Sequence, residues 1–296
     1  MKPQSNHAKG LALTAVGGMA LTFDVPLIKL ASGDAWSVLM LRCAATFVAA
    51  LSVWWVWKRF DPKLPPLVPG WPGAAVALLY GVSSISFISA IYLTSTANVV
   101  FILAFNTMFA ALLSWVFLRE TPKTSTLIAM GVMVVGVGII VSDSLGTGNL
   151  AGDLLAACSA FLIASAITIT RATGRDMGFT SLVAVALPFV VAAAIVLQQG
   201  FRIEAPGWIL LNGAVVMPLA FFCLATGPKY ISGPEVAMFY LLESVLAPIW
   251  VWLLFQEEPS RNSLIGGALL LAAMVAHSLW QLTQAQRAAR AMRHPV

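Results

Sequence analysis

The sequence predicts an all-α membrane protein of ten transmembrane helices, arranged as two inverted five-helix repeats around a central cavity. Three observations carry this prediction. The 296 residues are 59% hydrophobic and only 10% charged, which is more apolar surface than a soluble domain of that length can bury in its own core. Apolar runs of about 18 residues or more, long enough to cross a bilayer, recur at 10–30, 35–57, 71–93, 97–118, 124–142, 150–171, 179–198, 207–225, 233–255 and 262–283. Finally, residues 90–131 match 227–268 without a gap at an offset of 137. That match sets Ser95 on Ser232, Val99 on Val236, Ala110 on Ala247, Trp115 on Trp252, Glu120 on Glu257, Pro122 on Pro259, Leu127 on Leu264 and Ile128 on Ile265. A second match, at offset 142, sets Leu13 on Leu155, Ala15 on Ala157 and Lys29 on Arg171. The repeats are therefore 10–142 and 150–283, with five spans each. Five is odd, so the second repeat starts on the opposite side of the membrane from the first.

The first span follows a short basic segment, as a signal peptide would, but it is longer than an h-region and no cleavage-like site precedes the next span. It is read as retained. Asp24 lies in its outer part beside Pro26, either lining an exit or resting at the interface near Lys29. The second span carries Arg42, close to Trp36, and snorkelling to the outer headgroups is its expected role, ahead of binding a substrate carboxylate. The third sets Tyr80, Ser84 and Phe87 on one helical face, and the sixth does the same with Phe161, Ser165 and Thr168. Mixed aromatic and hydroxyl faces suit a pocket for small amphipathic solutes, although each residue taken singly is more often a packing residue. In the fourth span Asn106 occupies the position that the repeat matches to Glu243. Gly131, Gly136 and Gly138 in the fifth, like Gly266 and Gly267 in the tenth, read as close helix packing, within the chain or against a second copy in a homodimer.

The ninth span carries the residue on which the rest turns. Counted from Pro234 at about 1.5 Å per residue, Glu243 sits roughly 14 Å into a hydrocarbon layer about 30 Å thick. A charge there costs about 2.5 to 3.5 kcal/mol on insertion scales, so it must be neutralised, paired or turned toward a watery cavity. Glu243 shares a helical face with Val236, Phe239, Tyr240 and Ala247. One reading is a cavity residue that binds an ammonium group or a proton; the other is a structural carboxyl, protonated or paired with Arg42. Pro26, Pro188, Pro218 and Pro248 are candidate kinks.

Lys2, Lys9, Lys58, Arg59, Lys63, Arg119, Lys123, Arg171, Arg175, Lys229, Arg287, Arg290 and Arg293 fall on the side of the termini, against Lys29, Arg202 and Arg261 on the other. The positive-inside rule then places both termini in the cytoplasm, so the basic charge reports orientation and not a nucleic-acid partner. Trp36, Trp54, Trp55, Trp57, Trp71, Trp208, Trp252 and Trp280 lie near span ends and read as an aromatic belt. Cys43, Cys158 and Cys223 read as small buried hydrophobes. No Walker loop is present, and the histidines are His7, the lone His277 and His294, so catalytic triads, metals and cofactors are not expected. An ATP-driven pump would need a soluble engine, for which the short loops leave no room. Inverted repeats with a midplane polar site are the pattern of secondary transporters.

The five-plus-five spans, the RETP turn at 119–122 and QEEP turn at 256–259, the LIKLA segment at 27–31, Arg42 and the Gly-rich fifth span resemble the drug/metabolite transporter superfamily in its EamA branch. Within it the chain is similar to bacterial amino-acid exporters, including exporters of aromatic amino acids. It departs from that pattern in the ninth span, where a Pro commonly follows the middle in a Glu-Pro-type motif. Here Ser244 follows Glu243 and the proline comes at Pro248, which predicts a kink displaced by about one turn.

The resemblance implies a multi-pass carrier in the bacterial cytoplasmic (inner) membrane, not an enzyme, that exports amino acids or similar small metabolites by alternating access. The lipid bilayer is its other partner. Tyr80, Ser84, Asn106, Phe161, Ser165, Tyr240 and Glu243 are its candidate substrate contacts, with Glu243 and Asp24 as candidates for proton coupling. A carrier of drugs or sugars in the same superfamily, and a passive channel, are the rival readings.

Overall fold

The computed structural model of the chain describes residues 3–60, 66–174, 177–226, 230–231 and 233–293. Lys2, Lys63, Arg175 and Lys229, which enter the predicted orientation, lie outside the described residues, as do Ser232 and His294. The helices are α1 (Pro3–Leu21), α2 (Asp24–Leu30), α3 (Ala35–Phe60), α4 (Gly70–Leu93), α5 (Thr96–Ala104), α6 (Asn106–Leu118), α7 (Thr124–Thr147), α8 (Leu150–Thr173), α9 (Gly178–Val183), α10 (Ala186–Gln199), α11 (Pro206–Leu211), α12 (Met217–Thr226), α13 (Gly233–Phe255) and α14 (Arg261–Arg293), with a π-helical turn at Asn212–Val216. They make ten membrane-length apolar spans, one for each predicted from the sequence. Helices suit such a chain because lipid offers the backbone no hydrogen-bond partners.

The first, fourth, seventh and eighth spans are interrupted. Three interruptions fall four residues before a proline: at Thr22 before Pro26, at Ala184 before Pro188, and at Ala214, inside the π turn, before Pro218. A proline has no N–H for the carbonyl four residues back and its ring crowds that carbonyl, so the helix yields there. The fourth span breaks at Phe105 with no proline nearby, and the Thr107 hydroxyl takes up the freed Ala104 carbonyl at 3.2 Å. Pro248, the expected site of a displaced kink, lies inside α13, which continues through it as one helix.

Packing crosses the repeats. The first span lies on the eighth and ninth, through α1 on α12 and α13, and the sixth lies on the third and fourth, through α8 on α4 and α6. Each group thus takes the first span of one repeat and the third and fourth of the other, as an inverted twofold arrangement requires. The outer pairs are α10 with α3 and α7 with α14.

At the face opposite the chain termini the two groups meet. There α5 packs on α13, Gly33 and Ile203 form an antiparallel bridge, and the Asp34 and Ala205 amides donate to Arg202 O and Ala31 O, both at 3.1 Å. At the terminal face α6 follows α8, whereas the first half of α13 follows α1, with Gly18 against the Phe239 backbone. At that face α6 and α13 share no extensive contact.

Gly136 and Gly266 face each other's carbonyls, so this part of the glycine pattern serves packing of α7 on α14 within the chain. Gly131 and Gly138 meet no neighbour among the described residues. Cys43 and Cys223 are buried as expected, but Cys158 is exposed, on a side of α8 that its neighbours leave uncovered. Trp71, Trp55, Trp252 and Trp208 are exposed at or near helix ends, and Lys58 and Arg59 each lie 4.4 Å from the ring centres of Trp54 and Trp55.

Candidate functional site

The interruption of the first span places Asp24 at the start of α2, where it is buried among three spans. The Arg42 guanidinium donates through Nη2 to both Asp24 carboxylate oxygens, at 2.9 and 3.0 Å, and through Nε to Asn212 Oδ1 at 2.9 Å. Asn212, in the π turn, returns its amide to Asp24 Oδ1 at 2.8 Å and to the Asp24 carbonyl at 3.2 Å. Met217 Sδ lies 3.2 Å from Nη2, and the Phe87 ring centre is 6.0 Å from the guanidinium carbon. Every charge in this lattice has a partner, which is the condition for burying it.

Arg42 is therefore not the snorkelling residue expected from the sequence. Its side chain turns inward because Asp24, one helix away, and Asn212, from the eighth span, offer it a closed hydrogen-bonded set that the headgroup region cannot match. Asp24 correspondingly does not rest at the interface beside Lys29, which is paired with Glu257 instead. The expected alternative pairing of Glu243 with Arg42 is not made, since Asp24 holds that place.

Glu243 lies within electrostatic reach of both Asp24 and Arg42, is half-buried, and has no hydrogen-bond or ion-pair partner among the described residues. One turn earlier on α13, Tyr240 is 42% exposed and lies within reach of Glu243 and of Tyr80 on α4. α13 and α4 belong to different packed groups and form no extensive contact, so these side chains interact across the gap between groups. Accessible side chains deep in the bundle are what a cavity wall provides.

The other candidates are distributed around this centre. Ser84, also on α4, lies beside the Cys43 thiol of α3, its Oγ shielded and without a well-aligned hydrogen bond. Asn106 is half-buried at the break in the fourth span; its amide has no partner among the described residues and makes no hydrogen bond to Glu243. Phe161 is exposed and meets Phe109 edge-on at 5.5 Å, while Phe109 meets Phe105 at 5.2 Å. The Ser165 hydroxyl donates to its own helix at Phe161 O, 2.8 Å, and Thr168 does likewise to Ala164 O. The structure thus puts Tyr80 within electrostatic reach of Tyr240, and Tyr240 and Asp24 within reach of Glu243, and leaves Ser165 with its donor used locally. Val236 and Ala247, on the same face as Glu243 by periodicity, are packing residues.

Sequence reasoning missed Asn212 and Met217. Asn212 is the one amide inside the eighth span, and its cost in hydrocarbon was a signal available in the sequence. Two shallow grooves, one at Ala205, Gly207, Trp208 and Leu211 and one at Ser52, Val53, Val56, Trp57 and Phe60, are surface features away from this centre.

The sequence matches the model of the EamA-like transporter family twice, over residues 8–142 and 150–279. The chain belongs to the EamA-like transporter family. A solved crystal structure, titled only as that of a protein, is similar to this transporter at 15% identity, with a TM-score of 0.64 over 93% of this chain and 98% of that one. That likeness is one of fold. No curated protein matches the transporter's sequence.

In the transporter the two matches correspond to the two five-span repeats, and the polar links follow the inverted symmetry. Lys29 pairs with Glu257, and their repeat mates Arg171 and Glu120 pair at 2.8 Å. At the other ends of the same spans His7 pairs with Glu235 at 2.9 Å, and Asn98 donates to Asp153 at 3.2 Å. The ninth span is tied to the first, and the fourth to the sixth, at both faces.

Proposed function

We propose that this EamA-like transporter exports amino acids or similar small metabolites across the bacterial inner membrane by alternating access, with both termini in the cytoplasm. The observation that carries the reading is Glu243: a half-buried carboxyl deep in the bundle, within electrostatic reach of the paired Asp24 and Arg42, and without a hydrogen-bond or ion-pair partner of its own among the described residues. Such a group is an expensive placement unless something transient binds it. An ammonium group fits, and a proton can take its place on the return step. Asp24 is held by Arg42 and Asn212, so the exchange is assigned to Glu243.

The excess of Lys and Arg on the terminal side supports the cytoplasmic placement of the ends. The cargo passes unchanged, so the chain acts as a carrier and not as an enzyme.

The test is flux of radiolabelled amino acids in proteoliposomes, with competition by unlabelled amino acids, sugars and cationic drugs. Saturable flux suppressed by amino acids and lost in Glu243→Gln supports the reading. Unsaturable flux indicates a pore, and saturable flux of sugars or drugs alone overturns the substrate.

A further inference from the structure

We propose that the site recognises its ligand by a single ammonium group and is indifferent to the ligand's carboxylate. This rests on the reading of the Glu243 region as the substrate site and narrows the chemistry that it accepts.

The argument is one of charges already used. Three ionisable groups converge here: Asp24, Arg42 and Glu243. A zwitterionic ligand invites the assignment of its carboxylate to Arg42, the intramembrane cation. Arg42 is committed elsewhere, through Nη2 to both oxygens of Asp24 and through Nε to Asn212, while Asn212 grips Asp24 in turn. Arg42 is 8% exposed and Asn212 is fully buried. A ligand carboxylate that displaced Asp24 would strand a buried anion, and breaking such a pair is strongly unfavourable.

What remains is an acid too many. Two carboxylates face one guanidinium, so with all three ionised the site carries one net negative charge, and its member outside the hydrogen-bonded lattice is the half-buried Glu243. The complement of that site is one monovalent cationic group. Tyr240, within reach of the same carboxylate, adds a hydroxyl oxygen that accepts from an ammonium and a ring face that attracts cations, and Tyr80 lies within reach of Tyr240 in turn. Nothing in this arrangement requires the ligand to be an acid. The accepted class is a primary amine on a small apolar or aromatic body: the free amino acid, its amide, or the amine left when its carboxyl is removed. The corresponding deaminated acid is rejected, because its carboxylate would confront Glu243 and Asp24.

The experiment uses the full-length transporter in proteoliposomes. Unlabelled phenylalanine, phenylalanine amide, phenethylamine and 3-phenylpropionate each compete against radiolabelled phenylalanine flux, and each is also tested for direct binding. The amide and the amine are expected within about threefold of phenylalanine, and 3-phenylpropionate at least about tenfold weaker, since a charge-assisted hydrogen bond is lost. Glu243→Gln is expected to weaken the three amines together. If phenylalanine binds but the amide and amine do not, or if 3-phenylpropionate competes equally, the carboxylate is read, at Arg42 Nη1, and the proposal is overturned with the amino-acid reading intact. If the amine binds and phenylalanine does not, the proposal stands and the amino-acid reading falls. If none of the four binds, both fall. The wild-type ligand series decides the matter even if the variant does not fold.

Discussion

Lys29, at the end of α2, is ion-paired with Glu257, just beyond α13, across 228 residues of sequence. Glu257 also accepts the Thr96 backbone N–H at 2.7 Å and so caps α5, which belongs to the other packed group. One carboxylate thus serves the first span and the fourth at the closed face. Its repeat mate Glu120 pairs with Arg171 at the opposite face, where both side chains are about half exposed, at 53% and 51%, against 26% and 21% for Glu257 and Lys29. The two pairs share a symmetry relation but not a dielectric environment.

Their energetic weights should differ accordingly. In double-mutant cycles on thermal stability in detergent, the exposed Arg171–Glu120 pair is expected to couple by about 0 to 1 kcal/mol. The sheltered Lys29–Glu257 pair should couple by more, about 1.5 to 3 kcal/mol, as hydrogen bonds to charged groups do. Equal couplings would refute the distinction.

Arg42→Ala removes the only cation among Asp24, Asn212 and Glu243 and leaves a buried carboxylate uncompensated. A loss of about 3 to 5 kcal/mol is expected. The double change Arg42→Ala, Asp24→Asn should recover part of it. A melting series on the purified variants checks both, and a double variant less stable than Arg42→Ala would contradict the pairing as the main role of Arg42.

Gly136 and Gly266 approach each other's backbones, so a side chain at either position forces α7 and α14 apart. Gly136→Leu is expected to destabilise by about 1 to 3 kcal/mol or more, as overpacking does. Gly138→Leu, where no neighbour lies within 4 Å, should be close to neutral. Melting temperatures of the two variants should separate clearly.

Asp34 begins α3 outside the membrane spans, its Oδ1 accepting the Trp36 and Ser37 amides at 3.0 and 3.1 Å. Partial burial acts to raise its pKa, but hydrogen bonds from Ser37 and Trp36 outweigh it and hold the group below its ordinary 3.8. A depressed folded value means stabilisation that is fully present above about pH 4 and is lost as the pH falls through the folded pKa. Asp34→Asn should flatten the acid limb of a melting-versus-pH profile between about pH 5 and 3. An unchanged limb would count against the cap.

Much of the architecture was legible because hydropathy and repetition are one-dimensional signals. The ten spans, the five-plus-five division and the matching of Glu120 with Glu257 and Lys29 with Arg171 follow from the sequence laid against itself. Three helix interruptions were also signalled, since prolines at 26, 188 and 218 each disturb the carbonyl four residues back. Phe105 carried no such mark, and at Pro248 the mark was present without a break.

By itself the sequence determined that the chain crosses the membrane ten times in inverted halves, and that Glu243 lies too deep to be ordinary surface. Only the tertiary structure decided which charges meet. Asp24, Arg42 and Asn212 come from three spans separated by up to 188 residues, and they join because helix rotation turns all three into one space. Rotation about a helix axis leaves hydropathy unchanged, so an apolar span does not announce which of its polar residues will be paired and which, like Glu243, will stand without a hydrogen-bond partner among the described residues.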